Sequence, residues 1–292
     1  MRRSSLLAVF LCVAAPLSSA RADDPQSLED QVEKKSPAIV SLRYVMKSEF
    51  MGEGSESNEE AVGAVADPSG LVLLSSDHFS GSPRQLKVLF GTDPTEHEAV
   101  LVAKDVPLGL AWVQVLDLGD KAIPAVDLTK PAEIKVGLAL FGVSRSSRGF
   151  DYAPSVERLY VSAKIEKPRS MWGIAGEFSE AGLPVYDLAG AAVGVLSEQG
   201  GSDAVAEDGG GSSSRTCLLP LDAVARSLAL AKKRVPEAIA KAKEAKESKE
   251  SKESKDPAAA MDGAGGEVPA KPADPEKEPA KPEAPKPPEQ PK

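Results

Sequence analysis

From residue 36 to residue 221 the chain is a succession of short β-type runs split by turn signals. The runs are AIVSLRYV (38–45), EAVGAVA (60–66), LVLLSS (71–76), QLKVLF (85–90), EAVLVAKD (98–105), LAWVQVL (110–116), VGLALFGV (136–143), RLYVSAKI (158–165), LPVYDL (183–188), AAVGVLSE (191–198) and TCLLPL (216–221). Strands recurring at intervals of about ten residues point to an all-β sandwich or barrel. The sharpest of the turn signals is Asp67-Pro68-Ser69-Gly70, between two apolar runs.

The segments around this β region read differently. A short amphipathic helix, Leu28 to Lys35, precedes a Ser-Pro break. Residues 47–60 are polar and rich in Gly, Ser and Glu, and are expected to be a mobile loop. Residues 200–214, GGSDAVAEDGGGSSS, are expected to be a flexible loop inside the domain. A closing helix is expected from Asp222 to Arg234, with a basic end that suits the helix dipole. Beyond Pro236 the Lys/Glu/Ser run is at most a solvated helix supported by i,i+4 pairs, and residues 256–292, with repeated KP, EP and PA steps, cannot bury a core. The expected organisation is therefore a signal peptide at 1–22, one domain at 28–235 and a Lys/Glu/Pro-rich tail at 236–292.

Export is expected from the N-terminus. Arg2 and Arg3 supply a positive start, Leu6 to Ala15 a short apolar stretch, and Ala20-Arg21-Ala22 a small-residue cleavage site. The apolar stretch is too short to span a bilayer comfortably. The mature chain would then be periplasmic or secreted, with the Sec and Tat routes both open. Cys12 leaves with the signal, so Cys217 has no internal disulfide partner and reads as a small buried hydrophobe. The only histidines are His78 and His97, and His97 lies in a polar turn. With no Cys/His cluster, neither a metal nor an organic cofactor is expected. A net charge of −9 argues against a nucleic-acid partner.

Taken in order, several segments carry a resemblance to the protease domain of the HtrA/Deg group of trypsin-like peptidases, over roughly residues 28–235. SPAIVSLRYV (36–45) is similar to that family's first strand. VGAVADPSGLVLLSSDHF (62–79) resembles the hairpin leading to the catalytic histidine. VAKDVPLGLAWVQVLD (102–117) resembles the strand of the catalytic aspartate, and SEAGLPVYDLAGAAVGVLSE (179–198) the segment of the nucleophile. CLLPLDAVARSLAL (217–230) fits the last strand and helix. The resemblance implies two six-stranded β-barrels of the chymotrypsin type with a C-terminal helix, and the composition of residues 256–292 implies a disordered tail.

It also allows the triad to be tested position by position. A Ser-His-Asp triad needs a hydroxyl, an imidazole to take its proton and a carboxylate to orient the imidazole. Counting from Gly70 without a gap puts Asp77 where the family has histidine, with His78 one residue later. A one-residue slip in a strand turns a side chain to the other face, so His78 would serve only through a bulge. Gly109 stands at the carboxylate position and Ala181 at the nucleophile position, while Ser179 replaces a glycine of the oxyanion hole. A rescue set of Ser179, His78 and Asp105 requires several separate displacements, more than near-attack geometry tolerates.

The expectation is thus an exported pseudoprotease with no working catalytic residue, holding a peptide or protein in its cleft. Trp172, Ser179 and Glu180 are the candidate binding residues. Trp112 reads as core, whereas for Trp172 a ligand-facing and a structural role both stand. Two other readings remain open: a divergent active endopeptidase, and an envelope scaffold acting through the Lys/Glu/Pro tail. The family's domain usually trimerises and precedes a PDZ domain. Here the tail takes the place of the PDZ domain, and an oligomer is possible.

Overall fold

The computed structural model describes residues 25–50, 53–119, 123–130, 132–200 and 214–253. The expected signal peptide, most of the 200–214 loop and the tail beyond residue 253 lie outside them. The chain divides into two compact units, 1–246 and 247–292, and only 247–253 of the second is described. No helix among the described residues is long and apolar enough to cross a membrane.

The first unit contains two closed antiparallel barrels. Strands β1 (Ile39–Phe50), β2 (Glu53–Asp67), β3 (Leu71–Ser75), β4 (Gln85–Phe90), β5 (His97–Asp105) and β6 (Leu110–Val115) close in the order β1-β2-β3-β6-β5-β4. Strands β7 (Ala139–Arg145), β8 (Pro154–Ile165), β9 (Met171–Ala175), β10 (Pro184–Asp187), β11 (Ala192–Gly200) and β12 (Ser214–Pro220) close in the order β10-β11-β12-β9-β8-β7. Helix α1 (Pro25–Lys35) precedes them and helix α2 (Leu221–Glu253) follows. The expected fold class is borne out.

Three cores explain the sequence pattern. Val72, Leu74, Ala111 and Val113 fill the interior of the first barrel, and Leu140, Leu159, Val185 and Leu218 that of the second. A third core joins the barrels to α2 through Leu71, Leu73, Trp112, Phe141, Tyr186, Leu219, Val224 and Leu228. Strands β3 and β6 have one face in the first-barrel core and the other in the joining core. That is why LVLL and LAWV are unbroken apolar runs instead of alternating ones. Trp112 and Cys217 are both buried in the joining core.

The turn before β3 forms as read. Gly70 N–H donates to Asp67 O at 2.9 Å, and its φ of +88° favours glycine. Elsewhere the structure corrects the expectation. Residues 47–50 and 53–60 are strand, not loop: β1 and β2 pair residue for residue from Ile39↔Ala64 to Phe50↔Glu53 as a long ribbon. Opposite charges face each other in it, Arg43 with Glu60 and Lys47 with Glu56, and such cross-strand pairs hold a ribbon that apolar periodicity does not reveal. Strand β9, absent from the expected runs, is short and has Gly173 at its centre. Helix α2 does not end near Arg234 but continues through Pro236, supported by the Lys241–Glu237 pair at 2.7 Å.

Candidate functional site

Strand β3 ends at Ser75, and Ser76–His78 form a single turn of 310 helix. Ser75 Oγ caps it by accepting from Asp77 N at 3.3 Å. The alternation of faces that holds within β3 therefore does not extend to residues 77 and 78. The Asp77 side chain is exposed, with its carboxylate 3.5 Å from Ser76 Oγ. His78 is half-buried and uses both ring nitrogens. Nε2 lies 2.5 Å from Glu180 Oε1, and Nδ1 lies 3.4 Å from Tyr44 Oη. An ionised carboxylate only accepts, so Nε2 carries the proton in that bond and Nδ1 faces the phenol. Burial, followed by the nearby Glu59 and Glu180 carboxylates, pushes the Tyr44 hydroxyl up to about 12, which keeps its proton in place.

Gly109 closes a second 310 turn, Val106–Leu108, in the left-handed region at φ +66°. Its carbonyl accepts from Ser76 N at 3.0 Å, so this position and the histidine turn are neighbours. A Cβ at 109 would stand 2.6 Å from Ser197 Oγ and 3.2 Å from Glu198 O. Ser197 is buried on β11, donates to Leu108 O at 2.6 Å and accepts from Gln199 Nε2 at 2.7 Å. Asp105 directs its carboxylate to Leu108 N at 3.3 Å, capping the turn.

The segment between β9 and β10 supplies the opposite wall. The Phe178 ring packs so closely on Gly142 that a Cβ there would collide with it. Ser179 is exposed, and its backbone N–H donates to Glu157 Oε2 at 2.9 Å. Glu180 reaches His78, and Ala181 is half-buried beside it. Gly182, at φ +87°, lies against the backbone of Leu74 and Ser75, fixing the segment to the first barrel. Trp172 on β9 pairs with Leu218 and packs, half-buried, on the second-barrel core. No group of three His, Cys, Asp or Glu side chains suited to a metal occurs among the described residues.

The structure thus brings His78 and Glu180 together, places Gly109 next to the histidine turn, and occupies Asp105 and the Ser179 backbone elsewhere. Tyr44, Glu157, Phe178 and Ser197 were not singled out from the sequence. The Tyr in LRYV (42–45) and the Ser in VLSE (195–198) were the only signals for Tyr44 and Ser197.

No family model matches this sequence, and no curated protein does. Among solved structures that match is "Crystal structure of Deg5", at 18% identity, with a TM-score of 0.49, covering 69% of this chain and 91% of that one. A likeness of that size leaves the fold to be argued from the chain itself. Two closed six-stranded antiparallel barrels followed by a C-terminal helix are the double-barrel fold expected from the sequence.

Proposed function

We propose that this chain is an exported protein of trypsin-like fold that does not cleave peptide bonds and instead holds a peptide or protein in its cleft. The observation that carries the reading is the bond between His78 Nε2 and Glu180. In a working triad Nε2 takes the proton of the nucleophile, and a carboxylate sits on Nδ1. Here the partners are reversed, with a carboxylate on Nε2 and a phenol on Nδ1. The neighbouring Ala181 has no oxygen to attack with. Gly109 has no carboxylate, and Ser197 takes the space that a side chain there would need. The Ser179 N–H, which would stabilise an oxyanion, is directed to Glu157.

Export rests on Arg2, Arg3, the apolar Leu6–Ala15 stretch and the Ala20-Arg21-Ala22 site. The purified mature chain is expected to leave casein intact and to enrich peptides from a displayed random library. Casein cleavage abolished by Ser179→Ala would establish the divergent-endopeptidase alternative. Failure to enrich any peptide would remove the binding half of the proposal. N-terminal sequencing of the chain recovered outside the cytoplasm is expected to begin at Asp23.

A further inference from the structure

Strand β2 pairs with β1 along its whole length but with β3 only from Ala64 to Asp67. Beyond that point β3 has ended at Ser75 and the chain turns away through the His78 turn. The second edge of β2, from Ser55 to Ala61, therefore has no ladder partner among the described residues. An open strand edge is a template for another extended chain.

A pocket of about 540 Å3 adjoins this edge. Ser57 and Glu59 of β2, Met46 and Lys47 of β1, and Asp77 and His78 of the turn form its walls, with Tyr44 beneath. Tyr44 pairs with Glu59 and Met46 with Ser57, on the face that continues downward as the Leu42–Ala61 layer of the first-barrel core. The pocket is thus the mouth of the first barrel. Glu59 and Asp77 both line the pocket, while Glu56 and Glu60 stand on the opposite face of the edge strand. Glu56 and Glu60 are matched by Arg84 and Arg43. Glu59 and Asp77 have no cationic partner among the described residues.

We propose that the open edge of β2 and this pocket form a docking surface for an extended basic peptide segment, with a lysine or arginine side chain placed between Glu59 and Asp77. The inference rests on the reading of the chain as a peptide-holding module and names the ligand class. A strand added at about 4.8 Å from β2 would turn alternate side chains toward the pocket. A second copy of the same edge would set glutamate against glutamate, which disfavours self-pairing.

The test is fluorescence anisotropy on the full chain with blocked, labelled heptapeptides of alternating threonine and lysine, threonine and glutamine, or threonine and glutamate. The lysine peptide is expected to bind at least about tenfold more tightly than the others, about 1.4 kcal/mol. The double variant Glu59→Gln/Asp77→Asn, both sites being exposed, is expected to remove that preference with an unchanged melting temperature. N-methylating one alternate set of the peptide's amides is expected to abolish binding, and methylating the other set to spare it. Equal binding of the three peptides, an unaffected double variant, indifference to methylation or no binding of the lysine peptide would each overturn the proposal. If library-selected peptides bind the double variant as well as the wild type, this inference fails while the peptide-holding reading stands. Cleavage of a bound lysine peptide would sustain the docking surface and overturn the inactive reading.

Discussion

Trp112 on β6 and Ser227 on α2 are joined by a buried hydrogen bond, the indole Nε1–H donating to the hydroxyl at 3.0 Å. Both residues are almost fully removed from solvent. The bond fixes the rotation of α2 on the joining core, where Val224 and Leu228 pack. Ser227→Ala leaves the indole N–H buried without an acceptor, at a cost of about 1–3 kcal/mol. Urea unfolding measures it, and in a Trp112→Phe background the same change is expected to cost much less.

Arg145, at the end of β7, spans from the second barrel to the lead-in of the first. Its guanidinium donates to Ile39 O at 2.6 Å, Ser36 O at 2.7 Å and Tyr152 O at 2.9 Å, all three backbone carbonyls. Burial lowers its pKa from the usual arginine value, but arginine remains charged. Arg145→Met is expected to cost at least about 3 kcal/mol, because three carbonyls lose a charged donor. Arg145→Lys should recover only part, since an ammonium cannot reproduce the planar fork. Denaturant midpoints of the two variants check both statements.

The triad is not expected to be rebuilt by point replacement. Gly109→Asp places a side chain at φ +66° and drives its Cβ to 2.6 Å from Ser197 Oγ. The variant should lose about 1–3 kcal/mol from backbone strain and displaced packing. Adding Ala181→Ser supplies a hydroxyl but leaves His78 Nε2 on Glu180. Neither variant nor their combination is expected to hydrolyse casein.

An acid-sensitive element lies between the barrels in sequence. Asp127 accepts from Thr129 Oγ1 at 2.6 Å and Thr129 N at 3.0 Å and pairs with Lys130 at 2.9 Å. The Thr129 hydroxyl first, then Lys130 and the Thr129 N–H, hold its carboxyl down at about 2. A folded pKa below the unfolded value near 3.9 contributes stability above that value, and the contribution is lost as pH falls from about 4 toward about 2. Because the group is half-exposed, the effect is small. Asp127→Asn should flatten the slope of stability between pH 5 and pH 2.5, read by thermal unfolding at each pH.

The parts of the fold that could be read from sequence were those where burial imposes a pattern. The runs LVLL and LAWV announced β3 and β6 because both faces of these strands are covered, and Asp67–Gly70 announced the turn between β2 and β3. Strand β9 escaped because Gly173 interrupts a five-residue run. The β1–β2 ribbon escaped because charge pairs across strands hold it, and a single strand does not display its partner. The site divides in the same way. The order of motifs brought the His78, Gly109 and 179–181 segments to one place, as neighbouring elements of a double barrel. The bond between His78 and Glu180 joins residues 102 positions apart and has no periodic signature. Nor does the fit of Ser197 against Gly109, which depends on how the two barrels meet.

Intact-mass spectrometry of the full mature chain after incubation with a fluorophosphonate tests the central claim most directly. With His78 Nε2 held by Glu180 and Ala181 beside it, the account predicts an unchanged mass. An adduct on Ser179, absent from Ser179→Ala, would contradict it.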